Sequence, residues 1–428
     1  MRFIPPLREG GGYSRLVWIN LVDSRADING IVNAVRDGTI GGNLYFISSQ
    51  GIAVGAEGVI NAGKIGLIAP TDSYYQNLVT NKDNLSADNF SADKIRNGEI
   101  PLNVTGSISV AGKLNATDGI NLAAANIDLT NGAQLQSVRT INYSDFVNVS
   151  EEVSAGLDPS NLTVTKNDAG EIVIAAAINS KNLGMEDNFL DNLGLNYTRL
   201  AAPNSANVNI ADGAKIHSDG NVDIRALANS DIDIDLGKTT AVGTFLSLQS
   251  NVNVDGEVTG DNVNISAQTT DNYKFNAAVT GDEEHAIDLD IDENTPIDQT
   301  LIGIFDGAKT FLNVPTLLHK LHISAAFVGH NNSADVKIGD KAVITASGTD
   351  SDNPALNISS AGIFNADLQA SNIINGSLPA LGFTFSYSGN TAGVDVSGKL
   401  DAQKGSLAVT SNTNTDFSSN STIDATKR

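Results

Sequence analysis

The sequence predicts an all-β chain wound as a right-handed parallel β-helix, a β-solenoid with short helical excursions. Three observations predict it. Residues 41–70 are a train of very short apolar runs: Leu44–Ile47, Ile52–Val54, Val59–Ile60 and Ile65–Ile68, separated by Gly51, Gly55, Gly58 and Gly63. Runs this short are strands, not helices, and glycine supplies the tight turns between them. Apolar–polar–apolar triplets followed by glycine then recur along the chain, so each short strand finds its partner in the next turn of the same pattern. Aromatic residues make up only 5% of 428 residues, and cysteine is absent. Thin stacked layers of small and β-branched residues suit that composition better than one globular core. The handedness comes from the general preference of parallel crossovers.

Residues 1–30 are weakly patterned, with one strand expected over Leu16–Val22 and Trp18 closing the first layer. Residues 31–72 carry the stacked pattern. Residues 73–100 turn polar after Tyr74 and Tyr75, and Ser91 to Asn97 reads as a short helix ending at Gly98. This stretch is expected to be a loop excursion leaving the coil. From Leu102 the repeat is explicit: Ile108–Val110, Ile120–Leu122 and Ile127–Leu129, then Val208–Ile210 with Val222–Ile224, Val252–Val254 with Val263–Ile265, Val336–Ile338, and Val394–Val396 with Leu407–Val409. In the fuller copies a second triplet begins 11 to 14 residues after the first. Alternation turns two side chains of each triplet inward and one outward. A coil of about 20 residues with three such faces predicts on the order of a dozen coils and a rod of roughly 60 Å, at about 4.8 Å per coil. Outward Asn, Thr, Ser and Asp would align into ladders. A β-sandwich or a propeller explains neither the single inward residues after each glycine nor the lack of a Trp-Asp blade motif.

Two segments break the rhythm. Residues 181–203 hold a short amphipathic set, Met185, Phe189, Leu190 and Leu193. Residues 281–330 read as a partly helical insertion, with Leu317, Leu318, Leu321, Ala325 and Val328 on one side of a helix. The organisation is therefore 1–72, 73–280, 281–330 and 331–428.

The charge balance is 26 basic against 49 acidic residues, a net −23. That argues against nucleic acid as a partner, because neutralising phosphates requires a basic face. It argues equally against docking on anionic lipid. No run approaches the roughly 18 apolar residues of a membrane span. Pro5, Pro6, Arg8 and Glu9 interrupt any apolar leader, and the chain reads as a fragment.

No constellation predicts catalysis, a cofactor or a metal. Asp288, Asp290 and Asp292 have the first acidic spacings of a calcium loop, but Glu293 replaces its glycine and Gln299 its bidentate glutamate. Asp231–Leu236 alternates in the same way and reads as a strand with Ile and Leu inward and Asp outward. His319 and His322 lie a helical turn apart without a third ligand. His217, His285 and His330 are isolated. Glycosylation-type triplets at Asn103, Asn115, Asn161 and Asn264 are expected by chance in so Asn-rich a chain. No Gly-x-Ser-x-Gly elbow or phosphate-binding loop occurs.

Residues 43–55, Asn-Leu-Tyr-Phe-Ile-Ser-Ser-Gln-Gly-Ile-Ala-Val-Gly, followed by Gly58-Val-Ile-Asn-Ala-Gly-Lys-Ile, resemble the distal half of a secretion domain. It is that of the two-partner-secreted, filamentous-haemagglutinin-type adhesins. The leukotoxin-like filamentous adhesins match most closely, and Asp27–Ile40 also has a counterpart there. Where the family usually carries Asn-Pro-Asn-Gly, this chain has Ser48, Ser49, Gln50 and Gly51, keeping the glycine and losing Asn-Pro. The resemblance implies a secretion-motif turn at these four residues, with Asn61 in the following element. It further implies export through an outer-membrane β-barrel transporter and location outside a Gram-negative cell. The partner would then be a host-cell receptor or glycan, with no enzymatic activity. A polysaccharide-degrading β-helix enzyme and a trimeric structural fibre are the rival expectations.

Overall fold

The computed structural model describes residues 2–3, 17–81, 85–148, 156–181, 195–199, 204–236, 241–281, 323–349, 353–374 and 381–425. The chain is all-β, with 62% in strands and 8% helical. Its strands form long parallel sheets, and they fall into three rows.

The first row is Ala26–Ile28, Ile52–Val54, Ser107–Val110, Asn126–Leu129, Asn204–Ile210, Ala241–Val254, Ile323–Ile338 and Leu381–Val396. The second runs from Ile31–Asn33 through Gln134–Ser137, Lys215–Ser218, Glu257–Gly260 and Val343–Ala346 to Lys399–Asp401. The third begins with Val17–Leu21 and Asn43–Ile47 and ends with Ile172–Lys181, Val222–Leu236, Val263–Gly281, Leu356–Ile374 and Leu407–Ala425. Val59–Ile68 and Lys113–Ala124 each supply a strand to both the second and third rows. Their shared register slips at the bend between Ala116 and Gly119.

The inward residues of the triplets build the core. Ile108, Val110, Leu114, Ile120, Leu122 and Ile127 are all 0% exposed, and their counterparts in the neighbouring strands join them in one continuous cluster. Trp18 packs against that cluster as expected, beside Leu44 in the next strand.

Strand length corrects the expected dimensions. Early rungs recur at the anticipated period: Ser107 pairs with Asn126 and Lys113 with Gln134. Later, Val222 pairs with Val263 and Asn204 with Leu248, more than 40 residues on. The triplet there is only one end of strands 14 to 19 residues long. Among the described residues the rows consequently hold eight or nine strands each, a stack of roughly 40 Å at about 4.8 Å per strand, shorter than the expected rod.

Residues 71–81 and 85–102 also depart from expectation. They do not leave the sheet but lie on it. Asp72–Thr80 is an α-helix capped by Thr71, and Ala92–Arg96 is a second capped by Ser91, with Gly98 at positive φ after it. Tyr75, Leu78, Phe90, Ile95 and Leu102 are buried against the outward side chains of the third row, among them Tyr45, Ile47, Val173 and Ala175. Gly66 makes room there. A Cβ on it would fall 2.2 Å from the Tyr45 ring, which instead lies over the glycine and beside Phe90 at 5.7 Å.

A second small layer, which the sequence pattern does not announce, joins the hairpin Val35–Ile40 to Val138, Ile141, Leu157 and Val164 around Tyr143. Ala325 and Val328, expected on a helix, lie in the strand Ile323–Ile338. The rest of that helical expectation, the Met185–Leu193 set, Asp288–Asp292, His285, His319 and His322 lie outside the described residues. No described helix is long and apolar enough to cross a membrane.

Candidate functional site

The four residues of the expected secretion turn carry the chain from the third row to the first, between Ile47 and Ile52. Gly51 N–H donates to the Ser48 carbonyl at 3.2 Å, closing the turn, and Gly51 sits at φ 98°. Its missing Cβ matters, since one would fall 2.6 Å from the Ser107 carbonyl. Ser48, fully buried, donates from Oγ to the Ser24 carbonyl at 2.7 Å, and Asn103 Nδ2 donates to the Ser49 carbonyl at 3.1 Å. Gln50 alone of the four is exposed. The turn is therefore a built-in part of the rung, offering solvent one side chain.

Asn61 shares no hydrogen bond with that turn. It sits in a ladder along the second row: Asn61 Nδ2 donates to Asn33 Oδ1 at 2.6 Å, Asn115 to Asn61 at 2.7 Å, and Gln136 to Asn115 at 2.7 Å. The overlying layer covers it, because Asn61 also donates to the Phe146 carbonyl at 3.2 Å. Other ladders run Asn126–Asn207–Asn251, Asp128–Asn209–Asn253 and Asp223–Asn264–Asn357, each step 2.7 to 3.0 Å. The outward polar rows expected from the triplets thus exist, and Asn115 and Asn264 belong to them.

One cluster escapes sequence reasoning. His330 and Asp271 are both fully buried, with Nδ1 and Oδ2 2.5 Å apart, and Asn332 Nδ2 donates to the same oxygen at 3.1 Å. Tyr273 and Phe364 set their rings edge-on to the imidazole at 5.0 and 5.8 Å. Thr269, Asp271 and Tyr273 are alternate inward residues of the third row, and His330 and Asn332 are alternate inward residues of the first. Period-two spacing marks them as one-faced, but their meeting depends on register across residues 282–322, for which no local signal exists. A His–Asp pair orients imidazoles in hydrolases. This one is shut inside the sheets, both side chains 0% exposed, and it ties the third row to the first.

The outer face of the third row carries a shallow groove of about 440 Å³ lined by Asp231, Asp233, Asp367, Asp416, Lys274 and Asn272, among others. Asp231 and Asp233 point outward around buried Ile232, as the alternation predicts. Lys274 pairs with Asp233 at 3.6 Å. Register puts Asp231, Asn272, Asn365 and Asp416 in one column and Asp233, Lys274, Asp367 and Ser418 in the next. No three carboxylate or histidine side chains among the described residues converge as metal ligands. The chain matches no family model, no curated protein and no solved structure.

Proposed function

We propose that the chain is a segment of a secreted or cell-surface filamentous adhesin, a right-handed parallel β-helix that presents outward polar faces to host receptors or glycans. Support for the β-helix reading comes from the three parallel rows, whose strands succeed one another in chain order. The observation that carries the export reading is the turn at Ser48–Gly51. The stretch resembling a two-partner secretion domain is a hydrogen-bonded rung with Gln50 as the exposed residue of its turn, the form in which a barrel transporter's partner domain would offer a recognition feature. Residues 71–81 and 85–102 lie packed on the sheet, so the ladder-bearing outer faces are the surfaces we assign to presentation.

The test is export. Placed behind a cleavable signal and co-produced with a two-partner outer-membrane barrel, the chain should reach the medium folded and bind host cells saturably. Retention in the periplasm alongside every barrel tried would sink the reading.

A second reading, a polysaccharide-degrading β-helix enzyme, has the four-aspartate groove in its favour. Its single lysine argues against acidic polysaccharide, which four carboxylates repel.

A further inference from the structure

The buried pair of Asp271 and His330 leaves hydrogen-bonding capacity unfilled around it. Oδ2 of Asp271 serves both His330 and Asn332. Its other oxygen, Oδ1, has no hydrogen-bond partner among the described residues, and neither have Asn332 Oδ1, Thr269 Oγ1 and Ser230 Oγ. All four residues are 0 or 1% exposed. They are also neighbours. Ser230 stands in register with Asp271 on the adjoining parallel strand, so both side chains face inward together. Thr269 is the inward residue just before Asp271, and Asn332 reaches across from the first row. The space between the rows is closed on either side of this group. Toward the triplets, Ser250 Oγ donates to the Gln268 carbonyl at 2.6 Å and Ser360 Oγ to the Ala334 carbonyl at 2.9 Å. Away from them, the rings of Tyr273 and Phe364 pack on the imidazole. Within its row Thr269 is flanked by Ala228 and Gly362, the neighbours that crowd its hydroxyl least.

We infer that these four atoms share one ordered water, a solvent site built into the fold between the first and third rows. The hydrogen-bonding roles match it. Water donates twice and accepts twice, while Asp271 Oδ1 and Asn332 Oδ1 accept and the hydroxyls of Ser230 and Thr269 can each donate. A buried water makes about three hydrogen bonds, so this site offers it a full set. Left to themselves, the four groups would each bear the cost of burial without a partner. Charge and ligand number select water over a cation. Asp271 is the one carboxylate on the inward faces here, and His330 already stands against it. A calcium ion takes about six to eight oxygens, and no three acidic or histidine side chains among the described residues converge as metal ligands. The site thereby extends the tie of Asp271, His330 and Asn332 to Ser230 on the next strand. It stands whether or not the chain is exported.

A crystal structure of the full 428-residue chain, at a resolution that shows ordered solvent, tests this directly. The expected result is one density peak within about 2.7–3.2 Å of at least three of the four atoms, with no anomalous signal there after a soak in rubidium chloride. Two variants carry the test into solution. Ser230→Ala and Thr269→Val each remove one hydroxyl, and no hydrogen bond joins the two. If they share a water, losing the second costs less than losing the first. In urea unfolding, the double variant should then raise the unfolding constant at least about threefold less than the product of the two single effects. Single effects that simply multiply overturn the inference. So do hydroxyls bonded directly to Asp271 or Asn332 with no peak between them, and so does a rubidium signal, which would make this a cation site.

Discussion

Asn115 shows how a single polar residue holds two rungs. It donates to Asn61 and accepts from Gln136 inside a covered ladder. Asn115→Ala therefore strands a buried acceptor and a donor at once, a loss of about 1–3 kcal/mol. Urea unfolding of the variant should show that drop without a change in slope. Tyr143 sets a pH limit. It is fully buried, its hydroxyl donates to the Ala62 carbonyl at 3.3 Å, and burial, with Asp118 adding to it, pushes its pKa well above the usual 10.0. The folded state thus holds this proton more tightly than the unfolded one. Its contribution is complete below pH 10, and stability falls as pH rises from there toward the raised value. Tyr143→Phe should flatten that alkaline loss, seen as a smaller drop in Tm between neutral and strongly alkaline buffer.

At the scale of elements, the helical layer is held by packing and by one cation. Arg96 reaches Asp223 through Nε at 2.7 Å and also engages Asp93 and Glu171, while Arg225 and Asn264 hold the other oxygen of Asp223 at 2.7 and 3.0 Å. Burial works against the charge of Arg96, but Glu171, Asp223 and Asp93 outweigh it and raise its pKa. Arg96→Met keeps the apolar stem and removes the tie, so the layer should open locally while the sheet persists. Hydrogen exchange would register this as faster exchange over residues 72–100, with Ile172–Ala176 unchanged. Equal acceleration in both would mean that layer and sheet form one cooperative unit.

At the scale of the whole molecule, the net charge of −23 keeps the sides of the stack apart.

By itself the sequence determined what is local. The triplets around Ile108, Val208 and Val252, the glycine at 51, the cap at Ser91 and the outward asparagines each follow from alternation, turn geometry or capping, which neighbouring residues settle among themselves. Only the tertiary structure decided how far strands extend beyond a triplet, which rung faces which, and what lies on the outer faces. Tyr75 and Phe90 fall onto the third row, Tyr143 onto the second, and Asp271 meets His330 because registers across long intervening segments are chosen by the burial of whole faces. That is a property of the assembled stack, and no short window of residues contains it.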